Sequence, residues 1–184
     1  MKQPVRSASY EVNGYVSDVE ARVRGDAVIY HVTLLDLGGK EHMVRMRMPA
    51  SWMRLGQPLT GRVVRMTGDK EYRLLQDARP HPTLSKARVL EAQEIRVEKT
   101  PTAVGKGIIH AKVGAGVTSI PVVADSVLEK ASALSGGQGY VYVADTPAGS
   151  MVVAVQSVKD YQRDERLGEF LSWLSEDESQ DRGT

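Results

Sequence analysis

Arg45 and Arg47 alternate with Val44, Met46 and Met48, so an extended backbone there carries one cationic and one apolar face. Guanidinium groups are planar, permanently charged and able to donate two parallel hydrogen bonds, which is the chemistry that holds phosphate. Arg62 and Arg65 sit on a neighbouring apolar segment, and Arg22, Arg24 and Arg73 widen the same cationic set. His31, Trp52 and Tyr72 are the rings placed to stack on bases beside them. A stacked base is worth about 1–3 kcal/mol. With one Phe and two Trp in 184 residues, phosphate contacts have to carry most of such binding. The competing reading is that strands carry Arg on solvated faces to deter edge pairing.

Catalytic patterns are sparse. His31, His42, His81 and His110 are scattered, without the spacing of a metal-binding helix. Gly105-Lys106-Gly107 and Gly114-Ala115-Gly116 satisfy neither the P-loop nor the dinucleotide fingerprint, and no Gly-x-Ser-x-Gly element occurs. The acid pairs Asp18/Glu20 and Asp69/Glu71 are spaced as on one strand face. The absence of cysteine excludes disulfides, thiolate metal sites and cysteine nucleophiles together. The expectation is a non-enzymatic protein with no cofactor and no metal.

The elements that position the arginines read as strands. Residues 8–78 alternate almost throughout, with a change of parity at Ser17-Asp18 that a single bulged residue would produce. Ala27 to Leu35 runs into Asp36-Leu37-Gly38-Gly39, a hairpin turn, and Glu41 to Met48 follows as the third strand, ended by Pro49. Ser51 to Leu55 reads as a short capped helix, Gly61 to Met66 as a fourth strand and Tyr72 to Leu75 as a fifth. Arg79 to Thr83, with two prolines, is the expected linker. A looser version of the same order then runs from 84 to 158, with a helix at Ser126 to Leu134 and a tyrosine pair, Tyr140 and Tyr142, on one strand face. From Asp160 the period turns helical, with Leu167, Phe170, Leu171 and Leu174 on one side, and 176–184 is polar and acidic.

Charge follows this division. Residues 1–112 hold 19 Lys and Arg against 12 Asp and Glu, whereas 113–184 hold 5 against 11. A basic first part and an acidic end point to nucleic acid as a partner. No run of 18 apolar residues occurs and the N-terminus lacks an apolar leader, so the expected location is cytoplasmic.

The strand order and the basic third strand resemble OB-fold single-stranded nucleic-acid-binding proteins, as does a barrel followed by a helix and an acidic tail. The chain departs from the bacterial single-strand-binding family at its end, Asp181-Arg182-Gly183-Thr184, where that family has an aromatic cap. The resemblance implies a mainly β fold of tandem small OB-like five-stranded barrels followed by a C-terminal helix. The divisions are 1–78, a linker at 79–83, a second barrel at 84–158, an amphipathic helix at 159–175 and a disordered tail at 176–184. A single larger β-rich domain with a split sheet is the alternative. The expected function is binding of single-stranded nucleic acid, DNA in particular, as an accessory to replication, recombination or transfer. The binding residues are Arg45, Arg47, Arg65, Arg62, Arg22, Arg24, Arg73, His31, Trp52 and Tyr72. Phe170 and Trp173 on the terminal helix are the expected partner or self-association surface. The rival reading is a protein–protein adaptor or assembly subunit, which the methionine-rich strands and that helix favour.

Overall fold

The computed structural model describes residues 3–101 and 105–168. They fold into eleven strands in two sheets, with a helix, α1 (Asp125–Ala133), and a second helical segment, α2, over 158–168. The first sheet holds β1 (Val5–Arg24), β2 (Ala27–Asp36), β3 (Glu41–Met46), β4 (Pro58–Thr67) and β5 (Tyr72–Pro80). It closes on itself in the order β1-β2-β3-β5-β4. The second holds β6 (Arg88–Ala92), β7 (Glu94–Glu98), β8 (Gly107–Val113), β9 (Gly116–Val122), β10 (Gly139–Thr146) and β11 (Gly149–Gln156), in the order β6-β10-β11-β9-β8-β7.

The twenty-residue β1 serves two partners. Its first half pairs with β4 and its second with β2. The register against β2 slips between Val16 and Asp18, at the expected change of parity, so Val16 and Val19 both face inward against Leu34 and Val32. Gly14 is the corner: a Cβ there would lie 2.3 Å from the carbonyl oxygen of Leu35, so the two backbones touch where only glycine fits. Val12, Val16, Val32, Leu34, Val44, Leu59, Val63 and Leu75 fill the interior of this sheet.

The second core gathers Ile95, Ile109, Ala111, Ile120, Val122, Val141, Val143 and the apolar run of β11 around Val127 and Ala131 of α1. Tyr15 and Leu35 of the first sheet point outward and belong to this core. Lys130 of α1 pairs with Asp18 at 2.7 Å, and the Ser126 hydroxyl donates to Glu41, so α1 also fastens the two sheets at polar contacts.

Several expectations are corrected. The chain is not a tandem pair of five-stranded OB-like barrels, because its strands form two mixed sheets of unequal size and the larger ends at β6 and β7. The segment expected as one strand from Ala87 to Val97 is broken at Gln93, whose N–H leaves the strand run to bond the Lys112 carbonyl. The short helix at Ser51 to Leu55 is a series of turns, closed by Met53 N to Ala50 O and Gln57 N to Arg54 O. Six residues between Pro49 and Gly56 are too few to offset helix nucleation, and burial of Met53 holds the segment instead. The architecture is therefore not the one implied by the likeness to OB-fold single-strand-binding proteins. The linker placed at Arg79 is also shorter than expected, since β5 continues to Pro80.

Candidate nucleic-acid interface

Pairing register decides which cations share a face, because residues directly opposite in adjacent strands project to the same side. Glu20, His31 and Arg45 stand opposite one another across β1, β2 and β3. Arg45 continues the row to Leu74 of β5 through the single parallel pair that joins β3 to β5. Its guanidinium carbon sits 5.0 Å from the centroid of the Tyr72 ring. That is within cation–π distance, and the contact orients both groups on the outer face of the first sheet.

Arg22 and Arg24 belong to the same outer face by register, opposite Ile29 and Ala27. They sit near the tip of the β1–β2 ribbon, which extends past the end of β3. Arg22 donates from Nε and an Nη to both carboxylate oxygens of Glu20, at 3.3 and 3.2 Å. Arg24 and Arg45 have no described carboxylate within ion-pair distance. His31 reports the resulting field: partial burial, then Arg22 and Arg45, lower its pKa below the ordinary histidine value, against a weaker opposing pull from Glu20. Burial first and the neighbouring cations second thus favour the neutral imidazole.

The cationic set splits here. Arg65 and Arg73 stand directly opposite each other on β4 and β5, in the same parity as the inward-facing Val63 and Leu75. They are therefore on the other side of the sheet from Arg45, just beyond the end of the core. Arg62 faces Glu11 on one side and Gln76 on the other, exposed. Arg47 lies past the end of β3, exposed, beside the exposed Met48. Trp52 is half-buried and packs against the first core, so its ring is spent largely on packing. Phe170 and Trp173 lie outside the described residues. Structure thus brings Arg22, Arg24, His31, Arg45 and Tyr72 together and separates Arg65, Arg73 and Trp52 from them.

One polar chain was not legible as such. His42, buried on the inner face of β3, accepts or donates at Nδ1 to the Tyr10 hydroxyl at 3.0 Å and at Nε2 to Asp36 at 2.8 Å. Asp36 in turn accepts from the N–H groups of Gly38 and Lys40, both at 2.9 Å. Burial would raise the Asp36 pKa, but the His42 and backbone hydrogen bonds outweigh it and hold the carboxyl below its ordinary value. The available signal was parity, since His42 alternates in step with Val44 and Met46. A second row, Glu98, His110 and Ser119 across β7, β8 and β9, is joined by contacts of 3.0 and 2.7 Å on a solvated strand face.

Among the described residues no group of three or more His, Asp or Glu could hold a metal ion, and no helix is long and apolar enough to cross a membrane. No protein-family model matches the chain, and neither does any curated protein sequence.

Proposed function

We propose that this chain binds single-stranded nucleic acid, DNA in particular, through the outer face of β1, β2, β3 and β5. The observation that carries the reading is geometric: His31 stands directly opposite Arg45, Arg22 and Arg24 share the same outer face, and Arg45 is aligned over Tyr72. Arg45 and Arg24 supply phosphate contacts, while Tyr72 and His31 offer two rings for limited stacking. Binding of this kind is mainly electrostatic and falls steeply with salt. The protein acts without catalysis, as a cytoplasmic accessory where DNA is replicated, recombined or transferred.

Titration of a fluorescent oligodeoxythymidylate at two salt concentrations tests this. Binding that weakens with salt and is lost in an Arg24→Glu/Arg45→Glu double variant supports it. Failure to bind at low salt sinks it, and binding indifferent to salt sinks the phosphate mechanism.

A specific observation favours a second reading, an adaptor for another protein. Met48 past the end of β3 is 81% exposed and Val23 at the ribbon tip is 75% exposed, while Met43, 64% exposed, lies further along β3 toward the β2–β3 turn, so adaptable apolar side chains flank Arg45 on both sides. Under that reading oligonucleotide binding is absent even at low salt, and a Met48→Ser variant loses the protein partner.

A further inference from the structure

We infer that Arg65 and Arg73 form a second phosphate subsite at the open end of the closed first sheet, on its inward parity and away from Arg45, with Glu71 as its built-in competitor. This deepens the binding reading above and rests on it, because it extends the path of the same strand.

Arg65 and Arg73 are direct cross-strand partners, an arrangement in which like charges repel. Glu71 offsets part of that repulsion by accepting from Arg65 at 2.6 Å. Arg73 has no described carboxylate within ion-pair distance, although its field, with the stronger Arg65 bond, helps hold Glu71 ionised. The site thus has two forked donors side by side and one anion, where a phosphodiester could engage both guanidinium groups at once.

Glu71 is replaceable. Its side chain and that of Arg65 are about half exposed, at 45% and 48%, and exposed ion pairs of this kind are weak. A phosphate brings the same negative charge and leaves the carboxylate to water. Glu71 therefore acts as a surrogate phosphate that lowers affinity without closing the site.

Tyr72 connects the two faces. It is the first residue of β5, flanked by Glu71 and Arg73, and its own ring lies under Arg45 on the outer side. A single strand crossing this end of β5 passes within one residue from the Arg45–Tyr72 stack to the Arg65–Arg73 pair.

The test compares Glu71→Gln, Arg73→Gln and Arg45→Gln in titrations of a labelled oligodeoxythymidylate of about 20 nucleotides, long enough for both faces. Glu71→Gln should tighten binding severalfold and steepen the plot of log affinity against log salt by about 0.7, the increment for one more single-strand phosphate. Arg73→Gln should weaken binding about tenfold and flatten the plot by a similar amount. If Arg45→Gln weakens binding while both other variants match wild type, the second subsite is overturned and the outer-face reading stands. If Glu71→Gln and Arg73→Gln act while Arg45→Gln does not, the subsite stands and the outer-face reading falls. No binding by the wild-type protein overturns both.

Discussion

Tyr140 and Tyr161 stack face to face, with 3.6 Å between ring centroids and 8° between ring planes. The stack joins β10 to α2, and Gln156 fastens the same junction. Its side-chain oxygen accepts from the Tyr142 hydroxyl at 2.8 Å while its amide donates to Asp164 at 2.6 Å. Burial, then Tyr161 and the α2 carboxylates, push the Tyr142 pKa far up, so that hydroxyl stays a donor. Tyr161→Ala should weaken docking of α2 by about 1–3 kcal/mol, from lost stacking and burial. Hydrogen exchange should quicken in 158–168 and stay unchanged in β1 to β5. Tyr161→Phe should keep native protection, and equal loss in both variants would refute the role of the stacked ring.

Asp36 links the β2–β3 turn to the buried His42, and its depressed pKa fixes the direction of an acid effect. A carboxyl whose folded pKa lies below its unfolded one contributes stability that is complete above the unfolded value. That contribution is lost as pH falls through the folded value. Asp36→Asn should therefore cost about 1–3 kcal/mol at neutral pH, the worth of hydrogen bonds to a charged group. The gap from wild type should narrow below about pH 4 as the native carboxyl protonates. Urea unfolding of both proteins across that range decides it, and a gap independent of pH would exclude Asp36 as the titrating group.

What could be read from the chain was set by alternation. Val44 and Met46 against Arg45 gave the inner and outer faces of β3, and the parity change at Ser17 gave the bulge, because a half-buried strand must obey a period of two. Alternation says nothing about which strands become neighbours. Arg65 and Arg45 look equivalent in sequence, yet the pairing of β4 with β5 puts them on opposite sides. The break at Gln93 was equally hidden, because Ala92 and Ile95 are both buried and the run reads as continuous. His42 escaped notice because Tyr10 is brought in by long-range closure and Asp36 by the fold of the β2–β3 turn, neither of which alternation reveals.

Gly14 is needed for a steric reason. A methyl group there would lie within 2.3 to 2.9 Å of the Leu35 carbonyl and the Asp36 Cα, all backbone atoms that cannot rotate away. Gly14→Ala should destabilise the protein by about 3 kcal/mol or more, at or above the upper range for overpacking. Gly25→Ala meets no atom within 4 Å and carries only the strain of its φ of +60°. It should cost only about 1–2 kcal/mol. Comparable unfolding midpoints for the two variants would count against a tight corner at Gly14.

His31 gives the binding reading a pH signature. In the free protein partial burial and the fields of Arg22 and Arg45 hold its pKa below the ordinary histidine value, which favours the neutral imidazole. For the fold alone, the sign follows from linkage: stability is full above the unfolded pKa and declines as pH falls through the lower native one. A bound polyanion reverses the local field, raises the pKa of the imidazole and makes proton uptake part of binding. Affinity for a single-stranded oligonucleotide should therefore rise on acidification from about pH 7.5 to about pH 5.5, up to tenfold for each pKa unit gained in the complex. His31→Gln should flatten that dependence while leaving the salt dependence in place, since the arginines remain. Anisotropy titrations at fixed ionic strength measure both, and parallel pH curves for the two proteins would place His31 outside the interface.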